Sequence, residues 1–111
     1  LELWGTGKPL RQFMYGGDLA RVIKYMIDND IVENFNVAPD YVHTIKELAE
    51  IGVKSCGKEH LEIVYDDTKP DGQFRKDVDS SKLLSVMEDF EFTSLESGIR
   101  RAYDNFSQRH N

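Results

Sequence analysis

Three histidines (His43, His60 and His110) and one cysteine, Cys56, are the side chains best suited to base or nucleophile chemistry. Nucleophilic catalysis needs a Ser, Thr or Cys held beside a base. None of the histidines lies in a nucleophile motif, and no G-x-S-x-G elbow occurs. Cys56 falls at a predicted helix end with apolar spacing, which reads as a small core residue. The histidines lack metal-ligand spacing and one cysteine cannot build a zinc centre, so no metal is expected. Tyr65 and Lys69 are four residues apart, the spacing at which a lysine on one helix face can lower a tyrosine's pKa. Pro70 pushes Lys69 out of the helical region, so the spacing is accidental. Gly5-Thr6-Gly7-Lys8-Pro9 carries part of a glycine-rich phosphate cradle, but it lacks a third glycine, and Pro9 has no N–H to donate. No catalytic residue and no dinucleotide-binding loop is read, so no cofactor is assigned to this chain.

Charge gives a different lead. A net charge of -6 argues against general nucleic-acid binding, which wants a basic footprint. Two short segments run against that acidic background. Residues 1–15 carry Glu2, Lys8 and Arg11, and residues 69–76 carry Lys69, Asp71, Arg75 and Lys76. If the fold joins them, they form a local anion site; if not, they are chance deviations from the mean.

The elements that must position these residues alternate. Leu1 to Trp4 reads as a strand, and Gly5 to Pro9 as a loop. Phe13 to Tyr15 reads as a second short strand. Asp18 is the expected N-cap of a helix whose stripe is Leu19, Val22, Ile23, Met26 and Ile27. Phe35 to Ala38 reads as a strand closed by Pro39. Thr44 and Glu47 form a capping-box pair for a helix that ends at Gly57. Leu61 to Tyr65 reads as a strand, and Asp66 to Lys76 as a charged loop. A short helix is expected from Ser80 to Met87. Thr93 and Glu96 form another capping-box pair, opening a helix that buries Leu95, Ile99, Ala102, Tyr103 and Phe106. The order β, α, β, α, β, α, α predicts an α/β fold: a small, mostly parallel sheet with covering helices.

The 111 residues allow one domain with one core, and 40% hydrophobic with 31% charged residues describes a globular chain. No apolar run approaches the ~20 residues of a membrane-spanning helix, so no membrane partner is expected. The single cysteine gives no internal disulfide, and a cytoplasmic setting is the expectation. The sequence opens at Leu1, directly in a predicted strand, which suggests a piece of a longer chain. In that case the first helix's apolar stripe would be left partly uncovered.

Four blocks, in order and with conserved spacing, carry a resemblance. Leu3 to Phe13, LWGTGKPLRQF, resembles the W-G-[TS]-G-x-P-x-R-[EQ]-F stretch of the GDP-L-fucose synthases. These are NADPH-dependent epimerase-reductases of the extended short-chain dehydrogenase/reductase family. Asp18-Leu19-Ala20 resembles the D-[LM]-A that begins their next helix, and Phe35-Asn36-Val37 their strand ending N-V-G. Asp66 to Lys76, DDTKPDGQFRK, resembles their D-x-[ST]-K-[PS]-D-G-x-x-[RK]-K loop. Ala38 stands where the family has Gly, and Tyr15-Gly16-Gly17-Asp18 where it commonly has H-V-D-D.

The resemblance implies that residues 1–111 are the C-terminal GDP-sugar-binding domain, with the N-terminal Rossmann domain and its catalytic residues absent. It implies NADPH as cofactor of the parent enzyme, GDP-4-keto-6-deoxy-mannose as substrate, and a homodimeric parent. It places Trp4, Arg11, Asp71 and Lys76 on substrate-contacting positions. Arg11 offers a planar fork and Lys76 a point charge to a diphosphate, each charge-assisted bond contributing roughly 1.5–3 kcal/mol. Trp4 offers an aromatic face or its indole N–H, with a core position as its alternative. Asp71 would accept from sugar or ribose hydroxyls, with a plain Asp-Gly turn as its alternative. The implied function is the substrate-binding portion of an enzyme that makes GDP-L-fucose, inactive alone. A free-standing sugar-nucleotide-binding module, or the same domain of another extended-family epimerase or dehydratase, is the alternative.

Overall fold

The computed structural model describes residues 1–110, and in it the alternating pattern becomes an α/β fold. Five short strands are present: β1 (Glu2–Trp4), β2 (Leu10–Arg11), β3 (His43–Thr44), β4 (Val64–Asp66) and β5 (Arg75–Lys76). β1 pairs in parallel with β4, in register Glu2–Val64, Leu3–Tyr65 and Trp4–Asp66. A separate three-stranded sheet has the order β3-β2-β5. β2 runs antiparallel to β3 and parallel to β5, so most strand pairs are parallel, as expected.

Four helices accompany them: α1 (Gly16–Asp28), α2 (Ile45–Ser55), α3 (Ser81–Val86) and α4 (Leu95–His110). α2 starts as its sequence predicts, because the Thr44 hydroxyl accepts the Glu47 N–H at 3.0 Å. It ends in a Schellman turn. Gly57, at φ +67°, donates to Lys54 O at 3.0 Å, and Lys58 donates to Val53 O at 2.7 Å.

Val22, Leu83 and Met87 are buried at the centre, with Tyr25, Met26, Phe35, Val37, Phe90 and Phe92 packed around them. This core joins α1, α3, the segment that follows α3 and the segment around Phe35 and Val37. α2 and α4 pack against each other separately, and Arg100 Nε reaches Ser55 O at the C-terminus of α2.

Several expectations shift. Phe13 to Tyr15 is not a strand; the strand lies earlier, at Leu10–Arg11, where β3 and β5 are available as partners. The Tyr15 ring stem instead packs on α4, 3.1 Å from where a Cβ on Gly98 would stand. Phe35 to Ala38 is buried or half-buried in part but pairs with no strand. Phe35 and Val37 pack on the core, and the Asn36 Nδ2 donates to Asp79 O at 3.4 Å. The strand expected over 61–65 begins only at Val64.

Asp18 is not the N-cap of α1. The helix begins at Gly16 behind an extended Tyr15, and the Asp18 carboxylate turns inward. Thr93 is not a capping residue either, since its N–H and hydroxyl both donate to Asp18, at 2.8 and 2.7 Å. Ser94 takes over the cap of α4, accepting Ser97 N–H at 3.2 Å. Two polar residues read as local helix signals are thus spent on one long-range tie between α1 and α4.

The α1 stripe divides. Val22 is fully buried, whereas Leu19, Ile23 and Ile27 remain 37%, 48% and 71% exposed. Phe106, expected on the inner face of α4, is also exposed.

Candidate anion-binding site

β2 is the central strand of its sheet, and its register sets the site. Arg11 is the Cα partner of Lys76 on one side and of His43 on the other. Register partners send their side chains to one face of a sheet, with strands about 4.8 Å apart. His43, Arg11 and Lys76 therefore form one row across the sheet.

The neighbouring cation is turned elsewhere. Arg75 Nε lies 2.7 Å and Nη2 3.4 Å from the Asp77 carboxylate. Those hydrogen bonds raise the Arg75 pKa and hold the Asp77 carboxyl below its ordinary value. Lys76 is next to Arg75 in β5 and so takes the opposite face of the strand.

Arg11 is half-buried and donates from Nη1 to Leu10 O at 2.8 Å. Its Nη2 lies beside Gly72, 3.7 Å from where a Cβ would stand, in a backbone with φ +79°. The Asp71-Gly72 turn thus lies against the Arg11 guanidinium.

A clasp fixes that turn. Thr6 donates its N–H to Asp71 Oδ1 at 2.6 Å and its hydroxyl to Asp71 Oδ2 at 2.8 Å. The backbone N–H and the hydroxyl of Thr6 together hold the Asp71 carboxyl below its ordinary value. Gly5, at φ +92°, has to be glycine here, since a Cβ would overlap the Asp71 carboxylate. The far end of the loop is held by the start of α2. Lys46 N–H donates to Gly7 O at 2.9 Å and Ile45 N–H to Pro9 O at 3.0 Å.

Trp4 ends β1 beside this clasp. It is 69% exposed, so it is not a core residue, and the Lys69 ammonium lies 5.2 Å from its ring centroid. The two locally positive segments of the sequence therefore meet, through β1–β4, the Thr6–Asp71 clasp and β2–β5. Arg11 and Lys76 become direct neighbours, Asp71 is tied to Thr6, and Trp4 stands under Lys69.

Sequence reasoning did not single out Thr6, and it named His43 only as a possible base, not as a neighbour of Arg11. Thr6 had a signal, a hydroxyl between two glycines in a loop that must be held by something. His43 had none, because its pairing with Arg11 spans a connection of over thirty residues.

The loop from Gly5 to Pro9 does not fit a dinucleotide phosphate. The Thr6 N–H that a phosphate would take is already bonded to a carboxylate, and a strand, not a helix, follows. Nor do Tyr65 and Lys69 form a pair. The Tyr65 hydroxyl is buried without a hydrogen-bond partner and is raised by that burial and by Glu50, while Lys69 faces Trp4. Among the described residues no cluster of three His, Cys, Asp or Glu side chains could hold a metal, and no helix is long and apolar enough to cross a membrane.

Residues 1–38 match the model of the NAD dependent epimerase/dehydratase family. The chain is 40% identical over 103 residues to GDP-L-fucose synthase 1 of Arabidopsis thaliana, covering 92% of this chain and 31% of that one. It is 37% identical to GDP-L-colitose synthase of Yersinia pseudotuberculosis, over 100% of this chain and 36% of that one. Its fold is similar to a crystal structure of a GDP-L-fucose synthetase from Naegleria fowleri bound to NADP. The TM-score is 0.86 at 26% identity, over 98% of this chain and 35% of that one. The chain spans about a third of the length of the relatives it matches. Over nearly all of its own length, this chain is homologous to about one third of a GDP-L-fucose synthase, within the extended short-chain dehydrogenase/reductase epimerases.

Proposed function

We propose that this chain is the C-terminal, GDP-sugar-binding domain of an NADPH-dependent epimerase/reductase that converts GDP-4-keto-6-deoxy-D-mannose to GDP-L-fucose. The N-terminal Rossmann domain of that parent would supply the NADPH site and the catalytic residues, and this chain alone would be inactive. The parent would be cytoplasmic and homodimeric.

The observation that carries this reading is the register of Arg11 with Lys76 on adjacent strands. Two cations leave one face of the sheet a strand-width apart, a spacing suited to neighbouring oxygens of a diphosphate. Trp4 presents an exposed ring for the sugar or nucleoside. Asp71 uses one lone pair on each oxygen for Thr6, and a carboxylate has further acceptor capacity for a sugar or ribose hydroxyl.

Calorimetric titration of GDP into the chain, repeated with Arg11→Ala, tests it. Binding that weakens at least tenfold in the variant is the expected result. Equal binding by the two proteins would remove Arg11 from the site, and NADPH oxidation by the chain alone with the keto-sugar would overturn its inactivity. A second reading has its own support. The similarity to GDP-L-colitose synthase covers the whole chain, which supports a parent that acts on a different GDP-keto-sugar. Side-by-side turnover of the two keto-sugars by the parent enzyme separates them.

A further inference from the structure

The proposed site sets two cations for phosphates and the Trp4 ring for the sugar or nucleoside. Phe74 stands in the loop between Asp71 and Lys76, and it is 66% exposed. Its backbone is nevertheless fixed: Phe74 O accepts the Leu10 N–H at 2.8 Å, the first rung of the β2–β5 ladder. Side chains alternate along a strand, so Lys76 faces away from Arg75, which turns to Asp77. Phe74 is the bend residue just before β5, so its backbone lies against β2 next to Arg11, whose face Lys76 shares. Among the described residues Phe74 stacks with no other ring and lies under no cation, in contrast to Trp4, Tyr15, Phe35 and Phe90. An exposed aromatic on a pinned backbone, beside two unpaired phosphate-binding cations, is the arrangement that single-base stacking uses.

We infer that Phe74 is a specificity-determining residue that stacks on the nucleobase of the bound nucleoside diphosphate, with Arg11 and Lys76 holding its phosphates. This rests on the proposed sugar-nucleotide function and adds base recognition to it. The ring supplies a flat apolar face, and the fixed Leu10–Phe74 hydrogen bond lets it do so with little ordering on binding.

The test compares GDP with inorganic pyrophosphate as ligands for the wild-type chain, Phe74→Ala, Phe74→Trp and Arg11→Ala. Base stacking predicts that Phe74→Ala weakens GDP at least tenfold and leaves pyrophosphate unchanged, while Phe74→Trp retains GDP. Arg11→Ala should weaken both ligands. Phe74→Ala binding GDP as well as wild type, or losing both ligands equally, would overturn the role of Phe74 and leave the Arg11 site standing. A wild-type chain that binds neither ligand at millimolar concentration would overturn both readings. Phe74 is exposed, so circular dichroism of the alanine variant should match wild type, which keeps a folding defect from imitating the result.

Discussion

Arg11 and Lys76 are register partners on β2 and β5, although 65 residues separate them in the chain. Neither has a carboxylate within ion-pair distance among the described residues, whereas their neighbour Arg75 is bonded to Asp77. Two like charges held side by side and left unneutralised are a cost that an anionic ligand relieves. Arg11→Ala and Lys76→Ala should each weaken GDP at least tenfold. The double variant should lose less than the product of the two, because both cations act on one diphosphate. A double-mutant cycle by calorimetry checks this, and simple additivity would place the two on separate groups.

The Thr6–Asp71 clasp should matter for binding more than for folding. Gly5→Ala puts a Cβ into the Asp71 carboxylate at a backbone with positive φ, so it should open the clasp. The expected result is weaker GDP binding together with faster amide exchange at Thr6 and in residues 69–74. Protection unchanged in both segments would show that the loops are held by their strands alone.

Asp18 gives a stability prediction with a sign. Burial alone would raise its carboxyl, but bonds from Thr93 and Arg21 outweigh this and hold it below its ordinary value. A carboxyl depressed in the folded state adds stability above its unfolded pKa of 3.8 and loses that contribution as pH falls through the lower, folded value. Asp18→Asn should therefore destabilise by about 2 kcal/mol or more at pH 7. It should also show a shallower loss of stability below about pH 4 than wild type. Urea unfolding at several pH values measures both, and parallel acid limbs for the two proteins would contradict the assignment.

Gly57 provides a control on local backbone energetics. A Cβ there would meet nothing within 4 Å, so Gly57→Ala isolates the strain of φ +67°. The expected loss is about 1 kcal/mol, seen as a lower unfolding midpoint with GDP binding retained.

The α2 start and end were fully legible, because caps are written in adjacent residues: Thr44 with Glu47, and Gly57 at the position that needs positive φ. The meeting of two positive segments was legible as a possibility from charge alone. Phe35 to Ala38 shows the limit of periodicity. Alternating apolar residues did report burial, but a strand also needs a partner at ladder distance, and the sequence does not say that none is there. Phe13 to Tyr15 failed for the complementary reason, since the partners lay three residues earlier.

By itself, the sequence determined the helices and the α/β class, because these depend on local periodicity and residue type, and its motifs carried the resemblance that implied Trp4, Arg11, Asp71 and Lys76. Only the tertiary structure decided which polar groups were free to bind. It spent Asp18 and Thr93 on each other, tied Asp71 to Thr6 and turned Arg75 to Asp77. It left Arg11 and Lys76 together on one sheet face. That choice depends on strand register between segments far apart in the chain, and a shift of one residue would have sent each side chain to the opposite face.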